Sequence, residues 1–239
     1  MSTWNPRRLD AECLFFWKRL IVLSHGSGPA NAAVNARFAR PLVQRGFAVF
    51  RFDKRGVGKS EGKHSRAFAF MTVLAGDLVA AVDFVKNDSR IDRTRIGLMG
   101  QSQAGWVIPE AAIRSDDVAF VILHSGPTVT GQQANYWDQI ADDQTLSIDQ
   151  LETVFQQFQP SGWDLDPRPH LEQMTIPGLW IYGEEDRIVP GRLSAEILRA
   201  IAEDLDKPFT TALFPGVGHS LGTNYWPTLF AWYDHEVGP

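Results

Sequence analysis

Apolar residues in this chain follow two alternating rhythms. Short apolar-rich runs recur at Leu20–Leu23, Phe47–Phe52, Arg95–Met99, Val118–Leu123, Gly178–Tyr182 and 208–214. Runs of this length, bounded by turn residues, predict strands buried on both faces. Between them the apolar residues fall about a helical turn apart. Residues 30–45 carry Val34, Phe38 and Leu42 and end at Gly46, and residues 71–86 carry Leu74, Leu78, Val82 and Val85. These two segments, with 106–114, 191–204 and 224–235, predict helices. Strand and helix in alternation predict an α/β fold, a mainly parallel sheet with helices on both faces.

The alternation stops between about residues 127 and 174. That stretch holds two helical segments, 132–142 and 148–158, and a Trp- and Pro-rich segment, 160–171. An insertion after a strand, at the carboxyl edge of a sheet, predicts a small helical cap on one domain spanning 1–239. Its aromatic residues Tyr136, Trp137, Phe155, Phe158 and Trp163 either line an apolar pocket or form the cap's own core.

Composition narrows the function classes. With 44% hydrophobic residues, a chain of 239 residues suffices for one large core. A net charge of −5 argues against a nucleic-acid partner or an anionic membrane. The single cysteine, Cys13, excludes an internal disulfide and a cysteine-based metal cluster. Residues 1–19 show no clear period. Arg7, Arg8, Asp10, Glu12 and Lys18 surround the short run Leu14–Trp17, which is unlike a signal peptide or membrane span. A cytoplasmic globular protein without a membrane partner is the expectation, and oligomeric state stays open.

The candidate chemistry starts at Gly100-Gln101-Ser102-Gln103-Ala104-Gly105. A serine at a strand-to-helix corner with small residues on both sides fits the nucleophile elbow. Taken alone, the pattern also fits a serine capping an ordinary helix. Two later strand ends change the balance. One runs into the acidic turn Gly183-Glu184-Glu185-Asp186, the other into Gly216-Val217-Gly218-His219. Serine, acid and histidine thus follow three separate strands, in the chain order that such sheets use. Glu184 and Glu185 compete with Asp186 for the acid. His235 lies in a polar terminal stretch, and His64, His124 and His170 lack metal-ligand spacing. His124, after a strand end, reads as a pocket-lining or hydrogen-bonded supporting group. Gly58-Lys59-Ser60 matches only the tail of a phosphate-binding loop, because Asp53 stands where that loop needs glycine.

Together these pieces resemble the α/β-hydrolase superfamily, in its dienelactone-hydrolase-like and serine-aminopeptidase-like esterase branch. The matching segments are His25-Gly26-Ser27-Gly28-Pro29, Asp53-Lys54-Arg55-Gly56-Val57-Gly58-Lys59-Ser60, the elbow, Asp166-Pro167-Arg168-Pro169, the Asp186 turn and the His219 loop. The resemblance implies Ser102 as nucleophile, Asp186 as orienting acid and His219 as base. It implies an oxyanion hole from the backbone N–H groups of Gln103 and Ser27, with Asp53 and Arg55 bracing the oxyanion turn and His25 stabilising its loop. The activity implied is two-step hydrolysis of a small-molecule carboxylic ester, with no metal or organic cofactor. A peptidase or amidase would use the same residues. A non-catalytic binding protein of this fold usually loses one of them.

Overall fold

Six strands form one parallel sheet: β1 (Lys18–Leu23), β2 (Ala48–Phe50), β3 (Ile91–Gln101), β4 (Phe120–His124), β5 (Gly178–Gly183) and β6 (Phe209–Phe214). Their order across the sheet is β2-β1-β3-β4-β5-β6, and every neighbouring pair is parallel. The structure, a computed structural model, describes residues 18–238. The expectations for residues 1–17, including Cys13, lie outside the described residues.

Successive side chains of a strand point to opposite faces, and each face here meets its own set of helices. Leu20, Val22, Leu98, Val121, Leu123, Trp180 and Tyr182 face α2 (Met71–Val85), α3 (Ala104–Ile113) and α7 (Gly191–Leu205). Ile21, Leu23, Met99, Phe120, Ile122, Leu179 and Ile181 face α1 (Ala36–Gln44) and α8 (Trp226–Glu236). Both faces being covered explains why the central strand segments Val22–Leu23, Leu98–Met99, Phe120–Leu123 and Leu179–Tyr182 are apolar at successive positions.

The first helix starts later than its periodicity predicts. Residues 30–35 are loop and turn, and Val34 is 51% exposed. Local hydrogen bonds hold this stretch away from helix. The Asn31 side chain accepts from the Ala33 N–H, Asp53 accepts from the Ala32 N–H, and the Asn35 amide donates to the Ser24 carbonyl. The predicted strand 47–52 keeps only Ala48–Phe50.

Between β4 and β5 lie α4 (Gly131–Ala141), α5 (Ile148–Phe155) and the short α6 (Arg168–Gln173). Capping boxes start the first two, Thr130 with Gln133 and Ser147 with Gln150. Trp137, Ala141, Ile148, Leu151 and Phe155 form a separate apolar cluster, with Tyr136 packed against it. The Phe158 ring stacks on Phe155 at 6.2 Å between centroids, while Trp163 is 67% exposed. Four of the five aromatics therefore serve the insertion's own core.

Candidate active site

The chain reverses its direction of strand addition beside β1, so the loops leaving β1 and β3 diverge there. In open α/β sheets this switch point, at the carboxyl ends of the strands, is where ligands bind. The loop after β1 is Ser24–Gly28; the turn after β3 carries Ser102.

Ser102 adopts φ +55°, a left-handed conformation rarely taken by a residue with a side chain. Its N–H donates to the His124 carbonyl at 3.1 Å, and its own carbonyl accepts from the Gly105 N–H at 2.8 Å. The turn is tight. A Cβ on Gly100 would lie 2.4 Å from the Cβ of Ala104, so the first position requires glycine while the second tolerates alanine. The departure of Ala104 from the usual glycine is therefore accommodated by the geometry.

Asp186 and His219 are brought together across two loops. His219 Nδ1 lies 2.8 Å from Asp186 Oδ2. Asp186 Oδ1 accepts from the N–H groups of Ile188 and Val189 at 2.8 and 2.9 Å. Both carboxylate oxygens are thus occupied, and the residue is 1% exposed. The His219 carbonyl accepts from the Ser125 hydroxyl at 2.9 Å, which ties the histidine loop to the end of β4. Glu185 is exposed and Glu184 half-buried; their backbone N–H groups pair with Val217 and Phe214. Asp186 is the acidic residue of this turn that meets the histidine.

The loop after β1 passes close to the elbow. A Cβ on Gly26 would lie 3.8 Å from the Gln101 carbonyl and 4.0 Å from the Ser102 Cβ. Among the described residues neither the Ser27 nor the Gln103 N–H has a protein acceptor. Two free N–H groups beside a serine at a helix start can receive a negative oxygen.

The brace on this loop differs from the one implied by resemblance. Asp53 bonds instead to the Ala32 N–H at 2.7 Å, beyond the end of that loop. Arg55 pairs with Asp77 on α2. Lys54 reaches the loop: its ammonium donates to the carbonyl of Gly26 at 2.7 Å, that of Gly28 at 3.4 Å and the side-chain carbonyl of Gln103 at 2.7 Å. Sequence reasoning missed Lys54, whose one visible signal was a lysine between Asp53 and Arg55 immediately after a strand. His25 holds the loop too, its Nε2 lying 2.8 Å from the Phe52 carbonyl.

The remaining histidines stand apart from this chemistry. His124 is buried between Phe38 and Tyr225, with ring centroids 5.3 and 5.1 Å away. Burial pushes its pKa down to about 3, so it stays neutral beside His219. Its Nδ1 has no hydrogen-bond partner, so it is a pocket wall and not a hydrogen-bonded support. His235 is exposed and pairs with Glu236. Among the described residues no group of three or more metal-ligating side chains occurs. Next to the elbow, Arg37, Phe38, Gln101, His124, Ser220 and Tyr225 help line a groove of about 260 Å³.

Comparison with known proteins meets this geometry at the family level. The profile of the serine aminopeptidase S33 family matches residues 17–168. The chain belongs to this family. The match takes in the loop after β1, the Asp53–Ser60 segment and the elbow, and ends before the Asp186 turn and the His219 loop.

Among relatives of this S33 family member, the uncharacterized protein Rv2307c of Mycobacterium tuberculosis is 28% identical over 82% of this chain. The uncharacterized protein YfhR of Escherichia coli K12 is 29% identical over 74%. The chain spans 65% and 56% of the lengths of these two relatives. An esterase of Pyrococcus furiosus superposes with TM-score 0.68 at 17% identity, over 92% of this chain and 82% of that one. A puromycin-hydrolyzing peptidase of M. tuberculosis gives TM-score 0.65 at 19% identity, over 92% of this chain and 35% of that one. At these identities the likeness shows the fold, and the fold is that of an α/β-hydrolase.

Proposed function

We propose that this α/β-hydrolase is a serine esterase that cleaves small carboxylic esters by two-step acyl transfer. The observation that carries the reading is the His219–Asp186 contact at 2.8 Å. With Asp186 accepting at Nδ1, the tautomer of His219 leaves Nε2 as the basic nitrogen. His219 then takes the Ser102 proton as Oγ attacks the ester carbonyl. The N–H groups of Ser27 and Gln103 receive the oxyanion. Collapse expels the alcohol, protonated by His219, and leaves an acyl-enzyme. Water, deprotonated by the same histidine, attacks the acyl-enzyme, and collapse of the second intermediate frees the acid and Ser102. Every step uses protein groups, so the mechanism calls for no cofactor.

A groove of about 260 Å³ beside Gln101 and Ser220 favours a short acyl chain or a small ring on one side of the ester. The test is hydrolysis of p-nitrophenyl esters from acetate to palmitate, with Ser102→Ala alongside. Turnover on the short esters, abolished in a folded Ser102→Ala, is the expected result. Full activity in that variant overturns the mechanism.

The family name favours a second reading, an aminopeptidase using the same three residues. Amino-acid p-nitroanilides distinguish it: turnover of these, with none of the esters, moves the substrate class to amides.

A further inference from the structure

Lys54 is among the largest fully buried side chains of the molecule, at 2% exposure. Burying an ammonium is costly unless it is paired or fully hydrogen-bonded. All three acceptors of Lys54 are neutral carbonyl oxygens. Among the described residues no carboxylate reaches ion-pair distance of it. The charged and titratable groups around it leave the cation uncompensated. His25 has its pKa lowered by burial, and Asp53, kept ionised by the N–H groups of Ala32 and Lys59, makes no ion pair with Lys54. Arg55 and Asp77 neutralise each other, and Arg66 adds a second positive charge.

The position of this cation is informative because of peptide geometry. None of the described peptide bonds is cis, and across a trans peptide the C=O and N–H point in opposite directions. With the Gly26 carbonyl turned to Lys54, the N–H of the same peptide, that of Ser27, faces away from Lys54. The Ser102 carbonyl likewise points into α3 toward the Gly105 N–H, so the Gln103 N–H points out of the helix start. The Gln103 side chain is held by Lys54 as well.

We propose that Lys54 is a positioning residue of the oxyanion site: it fixes the Ser27 and Gln103 N–H groups and places an uncompensated positive charge behind them. The inference rests on the acyl-transfer reading above. A negative oxygen formed in the transition state would supply the counter-charge that Lys54 lacks in the resting protein, so its stabilisation is larger there than in the ground state.

The same charge sets a pH dependence. Burial, then the nearby Arg66, pushes the Lys54 pKa down to about 8. The side chain is charged at neutral pH, and kcat falls as the pH rises through that value. Stability moves the other way. The folded pKa lies below that of the unfolded chain, so the unfolded state binds more protons between the two values, and this group adds stability as pH rises across that window. Titration of Lys54 itself therefore does not unfold the protein in that window, and melting measured at each pH separates loss of activity from loss of fold.

The experiment compares wild type, Ser102→Ala, Lys54→Met and Lys54→Gln. One readout is the second-order rate of phosphonylation by an alkyl fluorophosphonate, followed by intact mass. In that step the Ser102 Oγ–P bond forms, the P–F bond breaks, fluoride leaves, and the serine proton passes to His219. The other is kcat and KM for p-nitrophenyl acetate from pH 6 to 10, with circular dichroism and melting as controls. We expect Lys54→Met to slow phosphonylation and kcat by roughly 10²-fold, as when one oxyanion donor is lost. KM should stay within about threefold, and the alkaline fall of kcat should disappear. Lys54→Gln should lie between. A folded Lys54→Met within threefold of wild type in both rates overturns the inference. So does a wild-type kcat level from pH 7.5 to 10, which decides the matter should neither variant fold. If Ser102 is phosphonylated in a Lys54-dependent manner while no ester turns over, the esterase reading fails and this inference stands. If Ser102 is not phosphonylated at all, both fall.

Discussion

At the scale of single residues, one acidic turn offers three carboxylates, and the backbone selects among them. The N–H groups of Glu184 and Glu185 pair with the β6 end and the histidine loop, which turns Asp186 inward. There the N–H groups of Ile188 and Val189 fix one oxygen and leave the other for His219. Asp186→Asn keeps the shape but presents an amide to Nδ1, favouring the wrong imidazole tautomer. A fall in kcat of about 10³- to 10⁴-fold is expected. Glu185→Gln should stay within about twofold of wild type, as exposed polar substitutions away from a site do. Steady-state kinetics on the best ester of the series checks both, and the reverse order of effects would move the orienting acid to Glu185.

At the scale of elements, the contact of loops decides whether Asp186 and His219 meet. The end of β5 and the loop after β6 run backbone against backbone at Gly183. A Cβ there would lie 2.1 Å from the Val217 carbonyl and 2.6 Å from that of Gly218. Gly183→Ala must push the two loops apart or strain them. The expected cost is about 1–3 kcal/mol, seen as a lower denaturation midpoint at unchanged slope. Activity should fall with it, because the displaced loop carries His219. A loss below about 0.5 kcal/mol, the range of neutral surface changes, would show that these loops separate freely.

At the scale of the whole molecule, the helical insertion is joined to the carboxyl edge of the sheet through the loop that carries Asp186. The Arg187 guanidinium donates to the carbonyls of Ala141, Asp143 and Leu146, at and beyond the end of α4. A cation at a helix C-terminus also meets the negative end of the helix dipole. Trp137 of α4 donates to the Asp186 carbonyl at 3.3 Å, and Arg192 of α7 pairs with Asp149 on α5. Arg187→Met removes the densest of these ties. Faster amide exchange is expected across residues 131–155, with exchange in β3–β5 unchanged, since local stability follows local contacts. Exchange unchanged in both regions would mean that the apolar cluster around Trp137 and Leu151 holds the insertion alone.

The sequence by itself determined the strands, the longer helices and the chain order of Ser102, Asp186 and His219, but not the short α6. Strand runs and helical spacing are local properties, set by which faces must be buried, and they located every element of the sheet to within a few residues. The elbow was legible because a tight turn restricts residue type at Gly100 and Ala104. The Asp186 turn and the His219 loop were legible because each follows a strand. Where local hydrogen bonds compete with helix, as at Asn31 and Asn35, periodicity overran the helix start. Only the tertiary structure decided what depends on distant segments meeting. Asp186 and His219 are 33 residues apart in the chain, and Lys54 and Gln103 are 49 apart. It also decided that the Arg55 guanidinium turns to Asp77 and that the insertion's aromatics pack on one another. Residue type and spacing state what a side chain can do; which carbonyl, carboxylate or ring lies beside it is set by how the loops converge at the carboxyl edge of the sheet.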